Sequence, residues 1–197
     1  MANPVKQEAT SAAVKTRAPS EKLLSSRWNF HANFVMNFII FTGAVALGSM
    51  RFRGAWVALL IAVSSGYCSW GLIEYTLHRY VFHGRQSFAS RGHALHHKEP
   101  QALVAVPFFT GFAVAVLLWL LLPLCLSEAT TFFYIAGMTV GYTSYGILHY
   151  LMHQMTFRGA RLSALQRHHE AHHRYARSNF GITSRYLDRL MGTLRET

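Results

Sequence analysis

The chain of 197 residues has room for one domain. Hydrophobic residues make up 51% of it and charged residues only 14%, against roughly 25% charged in ordinary soluble domains, so a water-soluble globule is a poor fit. The formal charge of +11 suits a nucleic-acid binder, but the long apolar runs speak against that class, and no nucleic-acid partner is expected. The two cysteines, Cys68 and Cys125, each lie inside an apolar run. They can build neither a disulfide framework nor a cysteine zinc site and are read as packing residues.

In chain order, residues 1–32 are polar and small, with scattered Lys and Arg and no hydrophobic period. They are expected to form a flexible basic cytosolic tail that ends in a short aromatic approach (Arg27, Trp28, Phe30). Residues 33–197 are read as one membrane domain holding four apolar segments, 34–50, 55–77, 103–126 and 130–150. A helix crosses the hydrocarbon core in about 20 residues, so the first segment sits at the short limit. Its apolar run exceeds the roughly 7–15 residues of a cleaved signal, which favours a signal anchor. The short turns at 51–54 and 127–129 predict two antiparallel hairpins. The expected fold is an all-α integral membrane bundle of four transmembrane helices, with a cytosolic helical cap formed by 78–100 and 149–197.

Charge sets the orientation. Of the 19 Lys and Arg residues, only Arg51 and Arg53 fall in the first turn; the rest lie before the first span, between the second and third, or after the fourth. The positive-inside rule therefore places both termini and the 78–102 connection in the cytosol. The fourth span carries Thr139, Tyr142, Thr143, Ser144 and Tyr145. Polar groups at that depth are expected to face a helix contact or a cavity.

Histidine is the compositional outlier, with 12 residues. The groups are His78 and His83; His93, His96 and His97; His149 and His153; and His169, His172 and His173. Each group falls where an apolar segment exits on the cytosolic side or shortly after it. Residues three and four apart share a helix face, so each H-x-x-H-H run presents imidazoles together, as do His149 and His153. His78 and His83, five apart, stand about 140° apart on an ideal helix. They require a helix break near Gly84, or ligands divided between two metals. Imidazole at this density suits iron, zinc, copper or nickel, and ten neutral ligands exceed one ion but supply about five to each of two. A single histidine at a helix end is ordinarily a packing residue; four groups at one membrane boundary are not explained that way. His168 is ambiguous by spacing, since 168/172 and 169/173 are both four apart, but only His169 completes the repeated pattern. His31 is read as interfacial.

Ligating histidines commonly give the other ring N–H to a carboxylate or carbonyl. Glu74 and Asp188 are the candidate partners, with Glu99 and Glu170 nearby. Arg79 and Arg174 adjoin candidate ligands and are candidate contacts for lipid headgroups or an electron carrier. Positive-inside topology alone explains most of the other cytosolic arginines. Tyr142 and Tyr145 are candidate substrate contacts.

The histidine groups in this order, H-R-Y-V-F-H at 78–83, and N-F-G-I-T-S-R-Y-L-D-R-L-M-G-T at 179–193 resemble the fatty acid hydroxylase and sterol desaturase superfamily of membrane oxygenases. The likeness is greatest to the fatty acid (ceramide) 2-hydroxylases, although Leu187 stands where they usually carry Trp. The resemblance covers about residues 55–197 and implies that the ten histidines bind two iron ions, with zinc possible in purified protein. It further implies O2 as co-substrate and two electrons from a redox partner. Residues 1–32 hold no cytochrome-like segment, so a separate cytochrome or ferredoxin-type donor is expected. A bacterial inner membrane is favoured over the endoplasmic reticulum.

Ligands at helix exits place the chemistry near headgroup depth, where the C–H bonds of a membrane lipid are those beside its carboxyl or amide end. This points to carbon 2 of an acyl chain. Carotenoid or sterol oxidation by the same superfamily is the alternative. A metal transporter is remote, because its ligands would line a pathway at the midplane.

Overall fold

The computed structural model describes residues 17–196, so the candidate tail lies outside the described residues up to position 16. The described residues contain helices and no strand. Helix α1 spans Pro19–Leu24 and α2 spans Arg27–Arg51. Helix α3 spans Trp56–Thr76 and runs on into a π-helical turn, Leu77–Phe82. Helix α4 covers Phe88–Lys98, α5 Phe109–Leu121 with a 3-10 turn at Leu122–Leu124, and α6 Glu128–Gln154. Helix α7 covers Ala160–Arg174 and α8 Tyr186–Leu190.

Two of the expected boundaries move. The first apolar helix begins at Arg27 rather than at position 34, because the Ser26 side chain accepts from the Asn29 N–H and caps it. Residues 17–32 are therefore largely helical and packed: Leu24 is 3% exposed. The third segment is helical only from Phe109. Residues 103–108 form an irregular strap whose backbone is satisfied mainly by α1 and α2 rather than by a helix of its own, the Ala105 N–H donating to the Leu24 carbonyl. Asn29 Nδ2 donates to the carbonyls of Ala105 and Val106, Asn33 Nδ2 donates to Val106, and the Phe108 N–H donates to Asn29 Oδ1. Asn29, Asn33 and Asn37 recur at four-residue spacing and are all buried, which turns one face of α2 into a polar rail for the strap.

That rail makes α2 polar inside and apolar outside: Phe38 is 69% exposed while Asn37 is 4% exposed. Trp56, Leu60 and Leu124 are likewise turned outward. Lipid stabilises this arrangement and water does not. Two helices, Arg27–Arg51 and Trp56–Phe82, are long and apolar enough to cross a membrane, whereas Phe109–Leu124 is a shorter apolar helix.

Helix α6 is the centre of the assembly. Ile40 and Ala44 of α2 pack on its Phe132, Ile135 and Ala136. On α3 the approach is closer: a Cβ on Gly137 would lie 2.0 Å from the Val63 carbonyl oxygen, and one on Gly66 would lie 2.1 Å from that of Tyr134. Small residues of this kind let two helix backbones meet in lipid. Gln166 fixes α7 onto the end of α6. Its Nε2 donates to the Met152 and Met155 carbonyls, and its Oε1 accepts from the Phe157 N–H.

Candidate metal centre

The ten candidate histidines fall into two groups of five. His78, His83, His93, His97 and His172 form one; His96, His149, His153, His169 and His173 form the other. Within each group the ligand atoms all lie within 4.8 Å of one another. The π-helical turn resolves the awkward five-residue spacing: the His83 N–H donates to the His78 carbonyl, and both rings enter the first group. Neither a break at Gly84 nor a division of the pair between two ions is needed. π-turns are rare and often mark functional sites.

The two H-x-x-H-H runs are shared crosswise. His93 and His97, four apart on α4, serve the first group, while the intervening His96 serves the second. On α7 the assignment reverses, His169 and His173 going to the second group and His172 to the first. The groups are therefore adjacent, with the His97 and His173 ring centroids 4.4 Å apart.

The donor set fits metal ions. His93 Nε2 lies 2.8 Å from His83 Nε2, 3.0 Å from His97 Nε2 and 3.1 Å from His78 Nε2. A neutral imidazole has one ring N–H, so three such contacts at one atom cannot all be hydrogen bonds. Around an ion at ~2.1 Å, neighbouring nitrogens stand ~3.0 Å apart at octahedral angles and ~3.4 Å apart at tetrahedral ones. The second group shows the same spacing, 2.8–3.1 Å. Each group of five could hold one ion through its ring nitrogens.

Burial lowers the basicity of these rings. It holds His83 at about 4, helped by neighbouring His97, and His173 at about 3. His172 is also lowered to about 3 by burial, against the opposing pull of the Ser178 carbonyl. His93, His96, His97 and His169 are pushed down for the same reason. Neutral rings with free lone pairs are what a metal requires.

Glu74 and Asp188 touch none of the ten rings by hydrogen bond. Glu74 instead accepts from the Ile182 and Thr183 N–H groups and the Thr183 hydroxyl. Asp188, 0% exposed, accepts from the Phe180 and Gly181 N–H groups, the Thr193 hydroxyl and His168 Nε2. Burial pushes the Asp188 carboxyl up, but these hydrogen bonds, led by that of His168, bring it below the usual carboxylate range. Both acids thus pin the 178–183 loop, and this loop supplies the ligand supports. His78 Nδ1–H donates to the Phe180 carbonyl and His172 Nδ1–H to that of Ser178. The two contacts aim both Nε2 atoms at the first group. Backbone carbonyls leave no trace in the residue types, so spacing alone does not find them. His168 is bound to Asp188 and belongs to neither group, whereas His169 does. His31 is exposed.

Beside the second group opens a cavity of about 520 Å³ with mostly apolar walls, bounded by α2, α4, the strap, α5 and α6. Its lining includes His93 of the first group and His96, His149 and His153 of the second. Tyr142 and Tyr145 line it, the Tyr145 ring lying nearly parallel to that of His149 at 5.6 Å. Arg79 and Arg174 do not: Arg79 donates to the Tyr75 hydroxyl and lies over the Phe180 ring, and Arg174 is exposed.

Comparison with known proteins is decisive at this point, because the family model for fatty acid hydroxylases matches residues 63–193. The chain belongs to the fatty acid hydroxylase family. A dihydroceramide fatty acyl 2-hydroxylase of Arabidopsis thaliana is 37% identical over 144 residues, covering 68% of this chain and 60% of that protein. The fatty acid 2-hydroxylase of Homo sapiens is 30% identical over 186 residues, covering 85% of this chain and 48% of its own. The chain thus spans about half to three-fifths of the length of these relatives. A solved structure of full-length scs7p, with only the hydroxylase domain visible, has the same fold. It gives a TM-score of 0.70 at 22% identity, covering 83% of this chain and 67% of that one. The matched hydroxylases come from plants, mammals and yeasts, which gives no support to the expected bacterial inner membrane.

Proposed function

We propose that this fatty acid hydroxylase homologue is an O2-dependent oxidoreductase that hydroxylates a lipid acyl chain at carbon 2. The observation that carries the reading is the apolar cavity whose lining includes imidazoles of both groups. The activities for which the relatives are named agree with it. In this reading His78, His83, His93, His97 and His172 hold one iron ion, and His96, His149, His153, His169 and His173 hold the other. The bound ions supply O2 activation and cleavage of the C–H bond. The chain's own residues do the rest. The cavity takes the acyl tail out of water, and Tyr142 and Tyr145 shape its wall next to His149. The Ser178 and Phe180 carbonyls hold His172 and His78 in the ligating tautomer.

Four membrane spans, both termini cytosolic, are supported by the positive charge distribution and by the outward apolar faces of α2, α3 and α5. On that topology the histidines sit at the cytosolic boundary, where a lipid presents carbon 2. Two electrons arrive from a cytochrome or ferredoxin-type partner docking on the basic cytosolic face. The test is lipid mass spectrometry of cells with and without the protein, with fragmentation to locate one added oxygen. Replacing His96, His97, His172 or His173 singly with Ala is expected to abolish the product while leaving membrane insertion intact. Full activity in these variants refutes the ligand assignment.

A further inference from the structure

A second, smaller cavity lies away from the histidine groups, between the outer face of α7 and the end of the chain. It measures about 150 Å³ and is lined by Ala164, Arg167, His168, Arg185, Arg195 and Glu196. Three guanidinium groups and one carboxylate around so small a space leave an excess of two positive charges. Two of its side chains carry buried polar atoms with no partner among the described residues, His168 Nδ1 and Arg185 Nε. His168 is 2% exposed, and its other nitrogen is occupied by Asp188. Arg185 Nε–H is a buried donor without a partner, and with Nε2–H given to Asp188 the neutral His168 ring leaves Nδ1 a buried acceptor without one; such orphaned atoms in a native pocket point to a missing ligand.

Arg167 and Arg195 are exposed at the mouth of the pocket, and neighbouring groups order Arg195 there. Arg195 is clamped by Asn179, whose Oδ1 accepts from the Arg195 N–H and whose Nδ2 donates to the Arg195 carbonyl. Asn179 is 0% exposed and takes a positive φ of 58° to do so. The Arg195 guanidinium lies 3.6 Å from the centre of the Tyr175 ring, which holds its planar fork in place. Arg185 is fixed at the head of α8.

We infer that this pocket binds a phosphate group. A phosphate dianion neutralises the excess charge, and its oxygens can accept from forked guanidinium donors in pairs. The neighbouring Tyr186, Leu190 and Met191 are apolar and 67%, 65% and 48% exposed. Apolar side chains next to a cationic pocket on the proposed cytosolic face favour a phosphate carried by a membrane lipid headgroup over free phosphate in solution. Through Asp188, bound to both His168 and the Phe180 N–H, the pocket adjoins the loop that supports the first histidine group.

The full chain is purified in detergent, and its thermal midpoint is followed with inorganic phosphate against chloride at matched ionic strength. It is then measured in phosphatidylcholine nanodiscs with and without phosphatidic acid. A rise in midpoint with either phosphate source supports the pocket; a rise with phosphatidic acid alone assigns the lipid source, and a rise saturated by inorganic phosphate assigns the free ion. Arg185→Gln with Arg195→Gln is expected to weaken the effect about tenfold or more, while Arg161→Gln, outside the pocket, keeps it. Arg185→Lys guards against misfolding: it retains charge but loses the fork, and is expected to bind more weakly than wild type at unchanged metal content. No phosphate-dependent shift in the wild type, or an equal shift in the double variant, overturns the inference. Because the readout is stability, the result is independent of whether the protein hydroxylates a lipid.

Discussion

Asp188→Asn isolates the role of the 178–183 loop. The native carboxylate accepts four hydrogen bonds, from the Phe180 N–H at 2.8 Å, the Gly181 N–H at 2.7 Å, the Thr193 hydroxyl at 2.7 Å and His168 Nε2 at 3.0 Å. An amide matches the shape but replaces one accepting oxygen with an NH2 group, which meets the donors at Gly181 and His168 head-on. Hydrogen bonds to a charged group contribute about 1.5–3 kcal/mol each, so losing two of them costs roughly 3–6 kcal/mol of loop stability. The Ser178 and Phe180 carbonyls then drift from His172 and His78, which both belong to the first group. Loss of such supports typically weakens metal affinity ~10–100-fold. The second group has no support from this loop: His169 Nδ1 and His173 Nδ1 have no partner among the described residues. Metal analysis after graded chelator dialysis is therefore expected to show one ion leaving early and one retained as in wild type. Equal loss of both ions, or wild-type retention of both, refutes this coupling.

Three further outcomes follow from the same geometry. His169→Ala is expected to strip the second group's ion, whereas His168→Ala, which removes only a support of Asp188, is expected to leave that ion in place; equal loss of the second group's ion in both variants contradicts the assignment. Gly137→Ala puts a Cβ 2.0 Å from the Val63 carbonyl, and overpacking of this kind costs about 1–3 kcal/mol. An unchanged thermal midpoint in detergent would refute the close α3–α6 contact. The metal-free protein is expected to lose stability as pH falls below about 6.5. The unfolded chain takes up protons there, while folded His83, His172 and His173 resist until about 4, 3 and 3. Stability is therefore complete above the unfolded value and drains away through the window down to pH 3–4. A pH-independent midpoint of the metal-free protein between 7 and 4 contradicts that burial.

Much of the site was legible because helical spacing is itself geometry. Pairs four apart, such as His149 and His153, meet on one face whatever the rest of the fold does. The composition likewise pointed to helices apolar enough to cross a membrane, since no tertiary contact alters how an apolar run partitions between lipid and water. Tertiary structure alone decided which histidine joins which group, because that depends on how α4 and α7 face each other. It also decided the π-turn that unites His78 with His83 and the strap at 103–108. The strap gives up α-helical bonding for the asparagine rail of α2, distant in sequence, and the π-turn exchanges it for a five-residue bond that no residue pattern announces. The roles of Glu74 and Asp188 were hidden because four of their partners are main-chain N–H groups of a loop, which residue type does not reveal, and the rest lie far away in sequence or carry no distinctive spacing.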